Sequence, residues 1–298
     1  MSRANSALRS TVLLIIALVG AAACGGDTAE TPEVAQTAES PEAETPSADC
    51  SPENLETLTP GTLTIATDEP VFEPWFVDND PANGQGFEGQ IAAAVAEELG
   101  YSPDQVVWVR VPFNAAIQPG PKNFDFDINE FSITDERREA VDFSSPYYDV
   151  TQAVIAMEDS PAAGATSLAD LADVKIGAQV GTTSLAAIEE VIQPSVEPSV
   201  YNTNDDAKAA LAAGQIDALV LDLPTAFFVT AAEIEGSTLV GQLPQGEGEV
   251  EQFGLVLDKG SALTECVSAA VDSLSASGVL EDAEETWLTQ NAGAPVLE

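Results

Sequence analysis

Short β-branched runs alternate with alanine-rich stretches along most of this chain. TLTIAT (62–67), VVWVRV (106–111) and FDFDI (124–128) have strand composition. Between the first two lies GFEGQIAAAVAEELG (86–100), whose apolar positions recur at helical spacing up to a stop at Gly100. A second series begins near residue 165. Ser167 with Asp170 caps a short helix, KIGAQV (175–180) predicts a strand, and GTTSLAAIEEVI (181–192) predicts a helix. SVYNT (199–203), DDAKAALAAG (205–214), IDALVLD (216–222) and LPTAFFVTAAEI (223–234) continue the alternation. The pattern argues for α/β layers with mixed, mostly parallel sheets flanked by helices.

Two extended segments, VTQAVIAM (150–157) and EQFGLVLD (251–258), bracket the second series and read as crossings. Helical stretches at 263–275 and 280–290 follow and are expected to pack back on the first half. A chain that leaves a lobe and returns to it through two extended segments forms a hinge with a cleft between the halves. The expected division is residues 59–152 plus 252–298 in lobe 1, and 153–251 in lobe 2.

The ends of the chain add a location. Arg3 and Arg9 precede an apolar run from Thr11 to Val19, followed by Gly20, Ala21, Ala22, Ala23 and Cys24. This run falls short of the roughly 20 apolar residues a spanning helix needs, and residues 1–23 read as a cleaved secretory signal. Cys24 after three small residues resembles a bacterial lipobox, in which the cysteine thiol takes a diacylglycerol, although Ala21 stands where that pattern prefers leucine. The alternative is ordinary cleavage to a free form. Residues 24–58, rich in Ala, Thr, Glu, Pro and Ser, read as a flexible acidic tether with too little apolar surface to order itself. No second apolar stretch reaches membrane length.

Charge narrows the functions. Nine Lys plus Arg stand against fifty Asp plus Glu, and the net charge of −41 becomes −43 once residues 1–23, with two arginines and no acid, are removed. Such a surface repels phosphate backbones and excludes nucleic-acid binding. With four lysines and no histidine, the acidic surface suggests a saline habitat, where salt screens its self-repulsion. Cys50 and Cys266 remain after Cys24. Export permits a disulfide between them, tying the start of the folded region to a late helix, and two separate buried thiols are the alternative. There is no metal-ligand cluster and no GxxxxGK[ST] phosphate loop, so no cofactor is expected and ATP hydrolysis belongs to another protein.

Among so few cations, Arg137 in FDFDINEFSITDERREAVDFSSPYYD (124–149) stands out. A guanidinium offers a rigid fork of donors that matches a carboxylate, which suits a small acid; a salt bridge to Glu136 or Asp142 is the ordinary reading. SITDER with VDFSSPYYD, then GAQVGTTS, then IDALVLD, in that order, give residues 60–290 a resemblance to the polar amino acid branch of type II periplasmic solute-binding proteins, the ligand-capturing subunits of ABC importers.

The resemblance implies a two-lobe fold joined by two hinge strands, with a polar amino acid bound in the cleft. Arg137 would clamp its α-carboxylate, helped by the helix N-terminus at GTTS and the Thr183 hydroxyl. Asp222 would accept from its ammonium. Asp68, Phe72, Trp75 and Phe113 would form the walls, with Ser132 at the rim. Ordinary readings stand beside these: Thr182 or Thr183 as a helix cap, Asp222 as the cap of a helix near Pro224, Phe72 or Phe113 as core. Glu130 departs from the family pattern. Facing the cleft it would favour a cationic side chain; otherwise it pairs with Arg138. The implied partners are a membrane permease and its ATPase, recognised by the closed form of a protein expected to be a monomer. An exported dehydratase on the same fold, with Glu73 or Glu130 as acid, and a sensor module are the competing classes.

Overall fold

The computed structural model describes residues 49–245, 250–288 and 293–298. The proposed signal, Cys24 and most of the tether lie outside the described residues. Among those described, no helix is long and apolar enough to cross a membrane.

The first lobe begins with β1 (Leu63–Thr67), every residue of which is buried, as suits a strand covered on both faces. A loop leads to α1 (Phe87–Glu98), which buries Phe87, Ile91, Ala92 and Val95 and ends before Gly100 in the left-handed region (φ 84°). Then follow β2 (Val106–Arg110), α2 (Phe113–Ala116), β3 (Phe126–Asp127), α3 (Asp135–Ala140) and β4 (Val141–Val150). One residue, Thr151, separates β4 from β5 (Gln152–Met157), which opens the second lobe.

That lobe contains β6 (Ile176–Gln179), α4 (Thr183–Ala187), β7 (Ser199–Tyr201), α5 (Asn204–Ala212), β8 (Ala218–Asp222), α6 (Leu223–Phe228) and β9 (Ser237–Gln242). The chain returns through β10 (Glu251–Asp258) and ends with α7 (Thr264–Ala276) and α8 (Val279–Trp287). Each lobe holds a five-stranded mixed sheet, in the orders β2-β1-β3-β10-β4 and β7-β6-β8-β5-β9. β1 runs parallel to β2 and β3, and β6 parallel to β7 and β8. The re-entering strands β10 and β5 run antiparallel to their neighbours. α1, α7 and α8 share the first lobe's core, in which Ile91, Val95, Val267 and Ala283 are all fully buried.

Both ends of the described chain depart from the expected division. Residues 49–58 are not a free tether. Cys50 is bonded to Cys266 of α7 with the Cα atoms 5.5 Å apart, Leu55 is buried in the first lobe's core, and the Leu58 N–H donates to Asp125 at 2.8 Å. The last residues, assigned with lobe 1, join lobe 2: Val296 bridges to Gln242 of β9, and Leu297 is buried in the second lobe's core. Apolar side chains at 294 and 297 had no helical or strand period to reveal their destination.

Candidate functional site

Arg137 owes its place to a helix cap. The Thr134 hydroxyl accepts from the Arg137 N–H at 3.1 Å, which starts the six-residue α3 and sets Arg137 in its first turn. The side chain turns inward and is 8% exposed. Nη1 donates to the Ser132 carbonyl at 2.7 Å, Nη2 donates to the Gly181 carbonyl of the second lobe at 3.0 Å, and the guanidinium carbon lies 5.4 Å from the Phe113 ring centre. The ordinary pairings do not form. Asp142 is held by Lys259 at 3.0 Å, and among the described residues Arg137 makes no side-chain ion pair. Glu251 and Asp222 are the acids whose charge acts most strongly on it.

The facing turn of lobe 2 is built around Gly181. Its φ of +76° is left-handed, and a Cβ there would lie 2.4 Å from the Asn114 side-chain oxygen of lobe 1. Thr182 is the cap of α4, accepting from the Leu185 N–H at 3.2 Å while donating to the Gln179 carbonyl at 2.8 Å. The Thr183 hydroxyl instead meets the Ser132 hydroxyl at 3.1 Å, across the lobes.

Asp222 ends β8 and stands at the cap position of α6, yet its side chain makes no capping bond. Oδ1 accepts from the Gln152 amide at 2.6 Å, and the carboxyl lies in hydrogen-bonding contact with that of Glu130 from lobe 1. Burial and the charge of Glu251 push Asp222 up to about 7. Glu130 is not with Arg138, which lies over the Phe143 ring. It sits at a positive φ of 52°, its N–H donating to Glu88 Oε1 at 2.6 Å and its Oε2 accepting from the Thr225 hydroxyl at 2.9 Å. Burial, then the charge of Asp222, holds its carboxyl well above the usual range.

A cavity of about 320 Å³ lies between these groups. It is lined by nine of the ten residues expected at the site: Arg137, Asp222, Glu130, Thr182, Thr183 and the wall group Asp68, Phe72, Trp75 and Phe113. Asp68 Oδ2 accepts from the Phe113 N–H at 3.1 Å, and Phe113 stacks on Phe131 with centroids 4.8 Å apart. Trp75 is both wall and core. It is 2% exposed, and its ring N–H donates to the Thr225 hydroxyl at 2.8 Å. Phe72 is half-buried, with the Lys208 ammonium of α5 4.1 Å from its ring centre; Lys208 also pairs with Asp205 at 3.1 Å and Glu233 at 2.8 Å.

Ser132 is the exception. It is 1% exposed and does not line the cavity; its hydroxyl donates to Glu251 at 2.7 Å in a polar layer beneath the cleft. Gln152 organises that layer, its amide nitrogen reaching Asp222, Glu251 at 3.2 Å and Thr183 at 3.4 Å, while its oxygen accepts from Ser184 at 2.6 Å. Gln152 and Glu251 open the two crossing strands, a position that marks the hinge but gives no sign of a polar role. Glu88 was also missed: it faces inward from α1, fully buried, and accepts from the Tyr147 hydroxyl at 2.5 Å, with burial raising it to about 7. Among the described residues, no group of three His, Cys, Asp or Glu side chains is arranged to hold a metal.

Residues 63–290 match the model of the bacterial extracellular solute-binding proteins, family 3. The L-arginine-binding protein of Pseudomonas aeruginosa is 31% identical over 241 residues, spanning 76% of this chain and 90% of its own. An ancestral arginine-binding protein, solved with arginine and with glutamine, superposes at a TM-score of 0.63 with 30% identity in both forms; the arginine form covers 76% of this chain and 98% of its own.

Proposed function

The chain belongs to the bacterial extracellular solute-binding proteins of family 3, with the type II periplasmic two-lobe fold, and on that premise we propose that it captures a cationic amino acid in the interlobe cleft for import. The observation that carries this reading is the placing of one arginine and one aspartate on opposite lobes of a single cavity, Arg137 from α3 and Asp222 from the end of β8. Each lobe then holds one pole of a zwitterion. A ligand that bonds both poles stabilises the closed arrangement over the open one, which is the thermodynamic requirement for capture by closure.

The α-carboxylate is assigned to Arg137, whose guanidinium has donors beyond the two given to Ser132 and Gly181, together with the N-terminus of α4 and the Thr183 hydroxyl. The ammonium is assigned to Asp222. A cationic side chain is favoured by the Asp68 carboxylate on the remaining wall. The relatives are binding proteins rather than enzymes, and the chain is read in the same way. Export and lipid attachment through Cys24 would hold it outside the membrane beside a permease and an ATPase that supply the transport energy.

A thermal-shift screen of amino acids, with recovery of the compound afterwards, tests this reading. L-arginine or L-lysine at about 100 times Kd is expected to stabilise the protein by roughly 3 kcal/mol, with the amino acid returned unchanged. Arg137→Ala should lose most of that gain. Stabilisation of equal size in the variant, or turnover of the compound, would contradict it.

A further inference from the structure

The floor of the cleft carries one acid more than a zwitterion's ammonium requires. Glu130 and Asp222 come from opposite lobes, and their carboxyls touch. Two carboxylates cannot bond to each other, since both only accept; such contact needs a proton on one of them. No other donor supplies it. The Thr225 hydroxyl accepts from Trp75 and gives its proton to Glu130 Oε2, while Gln152 donates to Asp222 Oδ1. No lysine or arginine pairs with either acid among the described residues.

The groups around the pair deepen this constraint. Glu88 from α1 and Tyr147 from β4 face Glu130, and Glu251 from β10 faces Asp222; of these only Tyr147 lacks a carboxyl. Arg137 from α3 acts on Asp222 less strongly than burial and Glu251 do. The backbone at Glu130 is left-handed, a conformation unfavourable for a non-glycine residue, and it is held there by the bond from its N–H to Glu88. Strain of this kind, at a residue whose side chain enters the cleft from the floor, argues that the side chain itself is used.

Resting on the amino acid reading above, we propose that Glu130 is a second acid for the ligand's ammonium, and that it takes this role by giving up the proton through which it is bonded to Asp222. The ammonium donates one N–H to each carboxylate, and the displaced proton leaves to solvent. The charge of the floor is then the same before and after: one proton shared by two acids is replaced by one ammonium shared by two acids. A ligand that lacks a cationic nitrogen at this end cannot make the exchange. Glu130 thereby selects for the ammonium and links binding to pH.

Calorimetry with L-arginine at pH 6.5, in buffers of different ionisation enthalpy, reads the exchange directly. Wild-type protein should release about one proton per ligand, and its affinity should rise about tenfold per pH unit on the acid side of neutrality. Glu130→Gln keeps a hydrogen bond to Asp222 without the extra proton, so the proton release and the pH slope of the affinity should both fall clearly below those of the wild type; Glu130→Ser serves the same purpose if the glutamine variant does not fold. Binding of L-arginine without proton release in the wild type, or with equal release in the Glu130 variants, overturns the inference alone. Failure of L-arginine, L-lysine and L-glutamine to bind at all defeats the functional reading and this inference with it.

Discussion

Arg137 is held by two carbonyls, Ser132 from its own lobe and Gly181 from the other, and by the face of Phe113. Carbonyls orient a guanidinium without neutralising it, so its charge remains for an anion. Glu88 shows the opposite economy, a carboxyl at 0% exposure with no ion pair among the described residues and one oxygen without a partner there. Its carboxyl is raised from 4.5 to about 7, so the folded protein holds this proton more tightly than the unfolded chain does. The stability it contributes is complete below pH 4.5 and is lost as pH rises through about 7. Urea unfolding should therefore find the protein losing on the order of 2–3 kcal/mol across that window, a loss that Glu88→Gln largely removes. An unchanged slope in the variant would assign it to other acids.

At the scale of elements, the cleft is closed by the tip of one turn meeting the other lobe. Gly181 lies so near Asn114 that even a methyl group has no room, and the Asn114 amide donates to the Val180 carbonyl at 3.3 Å. Gly181→Ala should weaken amino acid binding at least tenfold, because the clash with Asn114 of the other lobe arises where the lobes meet. Equal affinity measured by calorimetry would show that this turn moves freely on closure.

These turns were legible in the sequence because each sits where a strand signal gives way to a helix signal: QVGTTS after β6, LDLP after β8, SITDER before α3. Others were hidden. VDFSSPYYDV, the ten-residue β4, reads poorly as a strand because Ser144, Ser145 and Pro146 interrupt it. The register against β10 shifts where Gly254 faces Pro146, which lets the sheet accept the proline. STLVGQ, which forms β9, is absent from the alternation read above. Glu88 was invisible for a different reason. A glutamate on an alanine-rich helix normally marks the solvent face, and only the tertiary partners Tyr147 and Glu130 show that it lies inside. Ser132 belongs to the right motif but points beneath the cavity, since position along a loop does not fix side-chain direction.

For the whole molecule, the charge of −41 is a term that no single contact offsets; the described residues contain few ion pairs, and Lys208, Lys259 and Arg110 supply them. Self-repulsion should weaken as the screening length falls from about 30 Å at 0.01 M salt to about 3 Å at 1 M. The melting midpoint is expected to rise by roughly 5 °C or more over that range, and equal midpoints would remove the link between the acidic surface and a saline setting. Among the described residues Thr151 and the polar layer around Gln152 link the lobes, so closure is expected to depend on what lies between Arg137 and Asp222.

That dependence is tested most directly by titrating the protein with L-arginine beside two analogues, agmatine, which lacks the carboxylate, and Nα-acetyl-arginine, which lacks the ammonium. L-arginine should bind, and each analogue should bind at least 100-fold more weakly, as expected when a buried charged partner is left unpaired. Binding of either analogue within a few-fold of L-arginine would contradict a grip on both poles of one zwitterion.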